Sequence, residues 1–96
     1  MSALRLAPKA RADLDAIWDH TATQGGIDQA EDYVRALGET MKLIAASPGL
    51  GRGIDDIRPG YFRFPAASHV IFYRKAAGTV EVMRILHKSM DVERSL

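Results

Sequence analysis

Cysteine is absent from the 96-residue sequence, which excludes disulfide frameworks and thiolate metal sites. Long apolar runs are missing too, since no stretch approaches the roughly 18 residues that a membrane-spanning helix needs. The first ten residues lack the apolar core of a signal peptide. His20 and His69 stand alone in sequence, without metal-ligand spacing around them. These absences predict a soluble cytoplasmic protein that uses neither a metal nor a cofactor.

The composition is that of a folded domain, with 47% apolar and 26% charged residues. A chain of this length predicts one domain, residues 1–96. The net charge of +1 gives no argument for nucleic-acid binding, and we expect no sequence-specific contact with nucleic acid. Acidic residues outnumber basic ones between Asp13 and Glu39, whereas basic residues lead from Arg52 onward. A basic C-terminal half favours an acidic partner, although ordinary solvated charges would give the same pattern.

Two amphipathic helices are predicted in the N-terminal half. Apolar residues recur at helical spacing from Pro8 until the glycine pair Gly25-Gly26 ends the first helix. Asp28, followed three residues later by Glu31, resembles a capping box and predicts the start of the second helix. That helix is expected to end at Ser47-Pro48-Gly49. Because the link between the helices is short and contains glycine, they are predicted to form an antiparallel hairpin.

Strands flank this hairpin on both sides. Ala3 to Leu6 reads as a first strand, and the glycine- and proline-rich stretch from Ser47 to Gly60 reads as a loop. Beyond the loop the apolar period changes to two, and β-branched and aromatic residues accumulate. The resulting order, β-α-α-β-β-β, predicts an α+β fold in which the helical hairpin packs on a small, mostly antiparallel sheet. The last three strands are placed at Tyr61–Phe64, Ser68–Lys75 and Thr79–His87, followed by a helical turn or loose tail at Ser89–Leu96.

Apolar residues occur on both sides of the last predicted strand. Val80 and Val82 share one side with Arg84, while Met83 and Ile85 share the other. Either another chain covers the second side, or a bulge breaks the alternation, or a small curled sheet buries both faces. The aromatic residues are predicted to pack in the core between the helices and the sheet rather than to stack on bases; they are Trp18, Tyr61, Phe62, Phe64, Phe72 and Tyr73.

Several segments, in this order and spacing, are similar to one known family. They are Leu6–Ala10, Asp13–Leu14, Ile17–Asp19, Ser47–Arg52 and Asp56–Gly60, and most specifically Val70–Arg74 and Glu81–His87. Over nearly its whole length the chain resembles the ParE branch of the RelE/ParE toxins of bacterial toxin–antitoxin systems. The family fold that this resemblance implies agrees with the β-α-α-β-β-β order predicted above.

The resemblance implies a type II toxin that inhibits DNA gyrase by direct binding and is not an enzyme. It also implies a cognate ParD-like antitoxin that neutralises the toxin within a hetero-oligomer. Guanidinium groups match carboxylates in a bidentate geometry, so basic residues are candidates for contacts with antitoxin or target. Internal pairing is the alternative, for example Arg84 with Glu81 or Asp56. The candidate partner-binding residues are Arg58, Arg63, Arg74, Arg84, His87 and Lys88.

RelE-type toxins, from the same superfamily, cut messenger RNA on the ribosome, and they give the alternative function. RNA cleavage needs a base, a cation for the phosphate and an acid for the leaving oxygen. Arg63, Arg84 and His87 would supply these groups. However, His87 also belongs to the ParE-like pattern, and the basic residues are spread singly in sequence, which favours binding over catalysis. A third hypothesis is a chain that keeps the fold but has changed or lost its target.

Overall fold

The computed structural model describes residues 2–96. The chain forms β1 (Ala3–Leu6), α1 (Pro8–Gly25), α2 (Ile27–Ala46) and a 3-10 turn (Pro48–Leu50). These are followed by β2 (Arg52–Gly53), β3 (Tyr61–Ala66), β4 (His69–Ala76), β5 (Thr79–His87) and α3 (Val92–Ser95). No helix among residues 2–96 is long and apolar enough to cross a membrane.

The five strands form one sheet in the order β1-β5-β4-β3-β2, and the two long helices pack on one of its faces. Only β1 pairs in parallel, with β5, whereas the other pairs are antiparallel. The predicted α+β fold is therefore confirmed. The interpretation of residues 47–60 as loop alone was wrong, because Arg52 and Gly53 pair with Arg63 and Phe62 as a short edge strand.

The helical hairpin is joined by Gly26, whose φ of +92° is a conformation that favours glycine. Gly26 is also the N-cap of α2, and no side chain caps this helix end. The predicted capping box of Asp28 and Glu31 is therefore wrong. Between the helices and the sheet lies the larger of two hydrophobic clusters; its fully buried members include Leu37, Ile44, Ile71, Tyr73, Val80 and Val82.

A second hydrophobic cluster covers the opposite face of the sheet. It contains Ile54, Tyr61, Val70, Phe72 and Leu86, with the side chains of Val92 and Leu96 packed against it. The prediction for the aromatic residues is thus wrong for Tyr61 and Phe72, which face away from the long helices. Trp18, also predicted in the core, is only half-buried.

Side chains of β5 reach both hydrophobic clusters because their alternation between the two faces of the sheet is interrupted. Phe72 pairs with Arg84, whereas the next residue, Tyr73, pairs with Val82, so Met83 is an extra residue on β5. An extra residue reverses the faces of the side chains beyond it. Three explanations were considered for the apolar residues on both sides of this strand. The structure contains two of them, a bulge and the burial of both faces by the chain itself.

The β3–β4 turn is tighter than predicted. Pro65 and Ala66, assigned to a connection, pair with Val70 and His69 and extend β3. Proline is tolerated there because β2 covers only Phe62 and Arg63, which leaves the far end of β3 at the sheet edge.

Candidate partner-binding face

Arg84 and Asp13 form a bidentate ion pair between β5 and α1. The two guanidinium–carboxylate distances are 2.8 Å from Nε to Oδ2 and 3.0 Å from Nη2 to Oδ1. The backbone N–H of Ile85 also donates to Oδ2, at 2.9 Å. Arg84 therefore does not pair with Glu81 or Asp56, the two internal partners that the sequence had suggested. Its pKa is raised chiefly by the hydrogen bond to Asp13, so its charge is fixed.

The position of Asp13 follows from the topology. The register of β1 along β5 ends at Leu6 and Val82, and the chain then turns into α1. Beyond Val82 the edge of β5 has no strand beside it, so its backbone groups need another partner. The carboxylate of Asp13 supplies an acceptor directly after the bulge. The Asp13 side chain thereby provides a hydrogen-bond acceptor at the end of β5 that no strand covers.

The C-terminal segment is held by two of the predicted partner-binding arginines. Arg84 Nη1 donates to the carbonyl oxygen of Ser95 at 2.8 Å, and Arg58 Nη1 donates to that of Leu96 at 2.5 Å. At the other end of α3, the Asp91 carboxylate accepts from the backbone N–H groups of the first helical turn. Arg58 and Arg84 therefore hold the chain's own end against the second hydrophobic cluster.

Arg74 is also paired internally. The Glu81 carboxylate accepts from Arg74 at 2.8 Å and from Arg5 at 3.2 Å, and the Glu81 side chain is only 12% exposed. The hydrogen bond from Arg74 is the main reason that the pKa of Glu81 is lowered, against the opposing effect of burial. Arg5 was not among the predicted residues. Only the parallel register of β1 and β5 brings it beside Glu81.

The strand register gathers arginines on the face of the sheet away from the long helices. Arg52, Arg63, Phe72 and Arg84 are successive register partners across four strands, and the Arg63 guanidinium lies 5.8 Å from the centre of the Phe72 ring. Sequence reasoning missed Arg52, because a two-residue strand leaves no periodic signal. We call this surface the arginine face; its arginines are Arg5, Arg52, Arg58, Arg63, Arg74 and Arg84.

The arginine face is partly concave. A groove of about 410 Å³ is lined by Arg58, Arg84 and Lys9, with Tyr61 and Met83 among its apolar walls. Within residues 2–96, Arg52, Arg58 and Arg63 form no ion pair with an acidic side chain, unlike Arg5, Arg74 and Arg84. The groove and these three cations make the face suitable for an acidic partner.

His87 lies on the other side of Arg84, in a pocket between α1 and the ends of β4 and β5. This pocket, of about 360 Å³, is lined by all three histidines of the chain, His20, His69 and His87. The rings of His69 and His87 meet edge to face with their centres 5.3 Å apart. Nothing in the sequence indicated this convergence. In the described part of the chain, no group of three or more histidine and acidic side chains could hold a metal ion.

The three groups proposed for RNA cleavage are not assembled in one place. Arg84 and His87 line the same pocket, but Arg63 lies two strands from Arg84, with Phe72 between them. Two strand spacings amount to about 10 Å. Lys88, the remaining predicted residue, is exposed beside His87, and its backbone N–H donates to Ser68.

Similarity to known proteins was found at the level of family, sequence and structure. A family model described as "ParE toxin of type II toxin-antitoxin system, parDE" matches residues 4–92. The chain is 49% identical over 92 residues to Toxin ParE1 of Mycobacterium tuberculosis, covering 95% of this chain and 94% of that protein. It is 43% identical over 96 residues to Toxin ParE1 of Caulobacter vibrioides, covering 100% and 99% respectively.

Two solved structures have the same fold. One, described as a chromosomal ParDE toxin–antitoxin system from P. aeruginosa, matches with a TM-score of 0.80 and 27% identity, over 91% of this chain and 96% of that chain. The other, the toxin–antitoxin complex RelBE2 from Mycobacterium tuberculosis, matches with a TM-score of 0.70 over 91% and 98%. At 19% identity, the second shows a likeness of fold alone.

Replacing Asp13 with alanine is expected to destabilise the fold. The change leaves the Arg84 guanidinium and the Ile85 N–H without their acceptor at a site where both side chains are mostly buried. We expect the free energy of unfolding to fall by about 2–3 kcal/mol in urea denaturation. Asp15→Ala, at an exposed position on the same helix, is the matched control and should change it by less than about 0.5 kcal/mol. Equal losses in the two variants would contradict the assignment.

Acid should weaken the fold through His69. Burial is the main cause that lowers the pKa of His69 in the folded protein, and the neighbouring His87 adds to it. Below about pH 6.5 the unfolded chain therefore binds a proton more readily than the folded chain does, and stability falls with falling pH. We expect the pH dependence of the unfolding free energy between pH 7.5 and 5.5 to be shallower in His69→Gln. An unchanged slope would show that His69 is not responsible.

Proposed function

Since the chain belongs to the ParE toxin family of type II toxin–antitoxin systems, we propose that it is a toxin that binds and inhibits DNA gyrase without catalysis. We further propose that a ParD-like antitoxin, encoded beside it, neutralises it in a toxin–antitoxin hetero-oligomer. The observation that carries the proposal is the 49% identity to a ParE1 toxin over nearly the full length of both chains.

The state of Arg84 supports binding over RNA cleavage. Its guanidinium makes a bidentate contact with Asp13 and a third hydrogen bond with the Ser95 carbonyl. A cation neutralised in this way has little charge left to offer a transition-state phosphate. Arg63 is separated from it by a strand. Unless Arg63 and Arg84 act on the same phosphate, the RNA-cleavage mechanism lacks the cations that it needs.

The arginine face is the surface that we assign to the antitoxin. Arg52 is exposed and Arg63 half-exposed, and they are neighbours across the β2–β3 pair. Arg58 borders the adjoining groove, where its guanidinium lies 5.3 Å from the centre of the Tyr61 ring. An antitoxin segment that places carboxylates along this row and apolar side chains in the groove would match both features.

The edge formed by β1 offers a second mode of antitoxin binding. The backbone N–H groups of Ala3 and Ala7 donate to the carbonyl oxygens of Gly78, just before β5, and of Val82, so strand alternation turns the backbone groups of Leu4 and Leu6 outward. The Leu4 side chain is 37% exposed. An extended segment could add to this edge as a further strand. The opposite edge, β2, has only two residues and offers much less.

For gyrase we propose the surface that includes the C-terminal segment, residues 87–96. Lys88 and Met90 are exposed there, with Met90 at 44%. A cation and an apolar side chain next to each other offer a partner both an ionic and a packing contact. The segment is fastened by Arg58 and Arg84, so it would meet the target as an ordered surface rather than as a flexible tail.

A supercoiling assay tests the proposed function. Purified gyrase and relaxed plasmid are incubated with this protein, with and without the product of the adjacent gene. We expect supercoiling to be inhibited at micromolar concentrations and to recover when the neighbouring product is added. Intact gyrase activity at these concentrations would overturn the gyrase proposal. Messenger RNA from cells induced for the protein would then distinguish a RelE-type nuclease, which leaves cleaved transcripts, from a toxin with another target.

Neutralising the unpaired cations should weaken antitoxin binding. In the double variant Arg52→Gln/Arg63→Gln, two charges that have no ion pair with residues 2–96 are removed from the arginine face. We expect the dissociation constant for the antitoxin, measured by isothermal titration calorimetry, to rise about tenfold, because exposed ion pairs contribute roughly 0.2–1 kcal/mol each. Arg35→Gln, which removes an exposed cation from α2, is the matched control and should leave affinity unchanged. Equal effects in the two variants would place the antitoxin elsewhere.

A further inference from the structure

The histidine pocket is built by residues far apart in sequence. His20 comes from α1, His69 from the start of β4 and His87 from the end of β5, where His69 and His87 are register partners. Three imidazoles thereby meet at one place. Two of them have defined hydrogen-bond partners at one ring nitrogen, and these partners determine what the pocket offers to a ligand.

Tyr33 is the hydrogen-bond partner of His69. The Ser68 backbone N–H donates to the Tyr33 hydroxyl oxygen at 3.1 Å, and that hydroxyl lies 2.7 Å from His69 Nδ1. When the hydroxyl donates its proton to Nδ1, neutral His69 carries its own proton on Nε2. In this arrangement Nε2 of His69 is left to donate a hydrogen bond to a ligand.

His87 is oriented in the same way. The Ser89 backbone N–H donates to His87 Nδ1 at 3.2 Å, with the Ser89 hydroxyl at 2.7 Å from the same nitrogen. Neutral His87 therefore also carries its proton on Nε2. Within residues 2–96, neither Nε2 makes a hydrogen bond. The pocket wall accordingly presents two imidazole N–H donors that have no acceptor, which suits an anionic ligand better than a cation.

The other charged and polar groups around the imidazoles leave this preference intact. Asp13 of α1 and Arg84 of β5 face the pocket as a bidentate pair, although Asp13 also acts to raise the pKa of His69. Tyr33 of α2 is uncharged. What remains is a set of three imidazoles above walls formed largely by aliphatic side chains; these are Ala16, Ile17, Ile85, Leu86 and Met90.

We propose that this pocket receives a carboxylate and the adjacent aliphatic side chain of the antitoxin, and that antitoxin binding there is coupled to proton uptake by the histidines. The carboxylate would accept from the free imidazole N–H groups, and the aliphatic group would lie on the apolar wall. The antitoxin is the appropriate source because Arg84 lines both this pocket and the groove of the arginine face. An acidic segment in that groove reaches the histidines by passing Arg84. The inference rests on the proposed function, which supplies the antitoxin.

Coupling between binding and proton uptake predicts a pH dependence of affinity that distinguishes the histidine pocket from the rest of the surface. A carboxylate beside the imidazoles favours their charged form and raises their pKa, so binding tightens as pH falls. In the free protein, burial and the neighbouring histidines lower the pKa of His69, and the smaller opposing effect of Asp13 does not reverse this. A pKa that rises by about one on binding corresponds to about tenfold in affinity. Since the chain has only three histidines, every imidazole signal in its NMR spectrum reports on this pocket.

The test combines affinity and imidazole titration on the complete chain and the product of the adjacent gene. We expect the dissociation constant to be about tenfold lower at pH 6 than at pH 8, and the NMR titration curves of His69 and His87 to move to higher pH in the complex. The double variant His69→Gln/His87→Gln, which removes the two imidazoles whose Nε2 atoms make no hydrogen bond within residues 2–96, should lose most of this pH dependence. Lys42→Gln removes an exposed cation on α2 and should retain it in full.

Each outcome bears on one proposal at a time. Tight antitoxin binding that is equal at pH 6 and pH 8 overturns the histidine inference and leaves the toxin–antitoxin assignment standing. The same holds if the double variant keeps the full pH dependence, because the proton uptake would then not belong to the two imidazoles that the proposal uses. If the antitoxin binds at neither pH, the proposed function fails, and the inference fails with it.

Discussion

The carboxylate of Asp13 joins three parts of the molecule, namely α1, β5 and the C-terminal segment. It fastens α1 to β5 through Arg84, it accepts from the backbone N–H of Ile85, two residues after the bulge at Met83, and through Arg84 it reaches the carbonyl of Ser95. The need for it arises from the topology. A parallel first strand that ends at Leu6 cannot cover the second half of β5, and a bulge directly beyond that end leaves the backbone irregular. An acidic side chain on the first helix meets both requirements.

This constraint divides the basic residues into two groups with different roles. Arg5, Arg74 and Arg84 are neutralised by Glu81 or Asp13 and hold strands, a helix and the C-terminal segment in place. Arg52 and Arg63 face outward without such partners in the described residues. Removing a cation of the first group would lower stability and so affect every function indirectly, whereas removing one of the second group tests recognition. A scan of all basic residues by alanine would confuse the two groups unless stability were measured alongside binding.

Much of the fold could be predicted from local patterns, because these patterns act within one element. The helical spacing between Pro8 and Gly25 placed α1, and β-branched and aromatic residues placed the last three strands. Features that depend on partners distant in sequence could not be predicted. Arg84 and Asp13 are 71 residues apart, and nothing near Arg84 distinguishes that partner from Glu81. The bulge at Met83 reversed the faces of β5 without any glycine or proline to mark it. The histidines converge only because β4 and β5 are in register at His69 and His87.

Across the surface that we assign to partners, permanent and titratable charges lie side by side. The guanidinium groups of the arginine face keep their charge at every physiological pH, while the imidazoles of the neighbouring pocket change theirs between about pH 5 and 8. Salt screens both kinds of charge over distances of roughly 8–10 Å, but pH alters only the histidines. Because Arg84 borders both cavities, a ligand that spans them would experience both effects at once. Salt would then weaken the affinity along the whole contact, whereas pH would change it only where the ligand touches the histidines. A pH series at constant ionic strength therefore isolates the contribution of the part of the ligand that lies against α1.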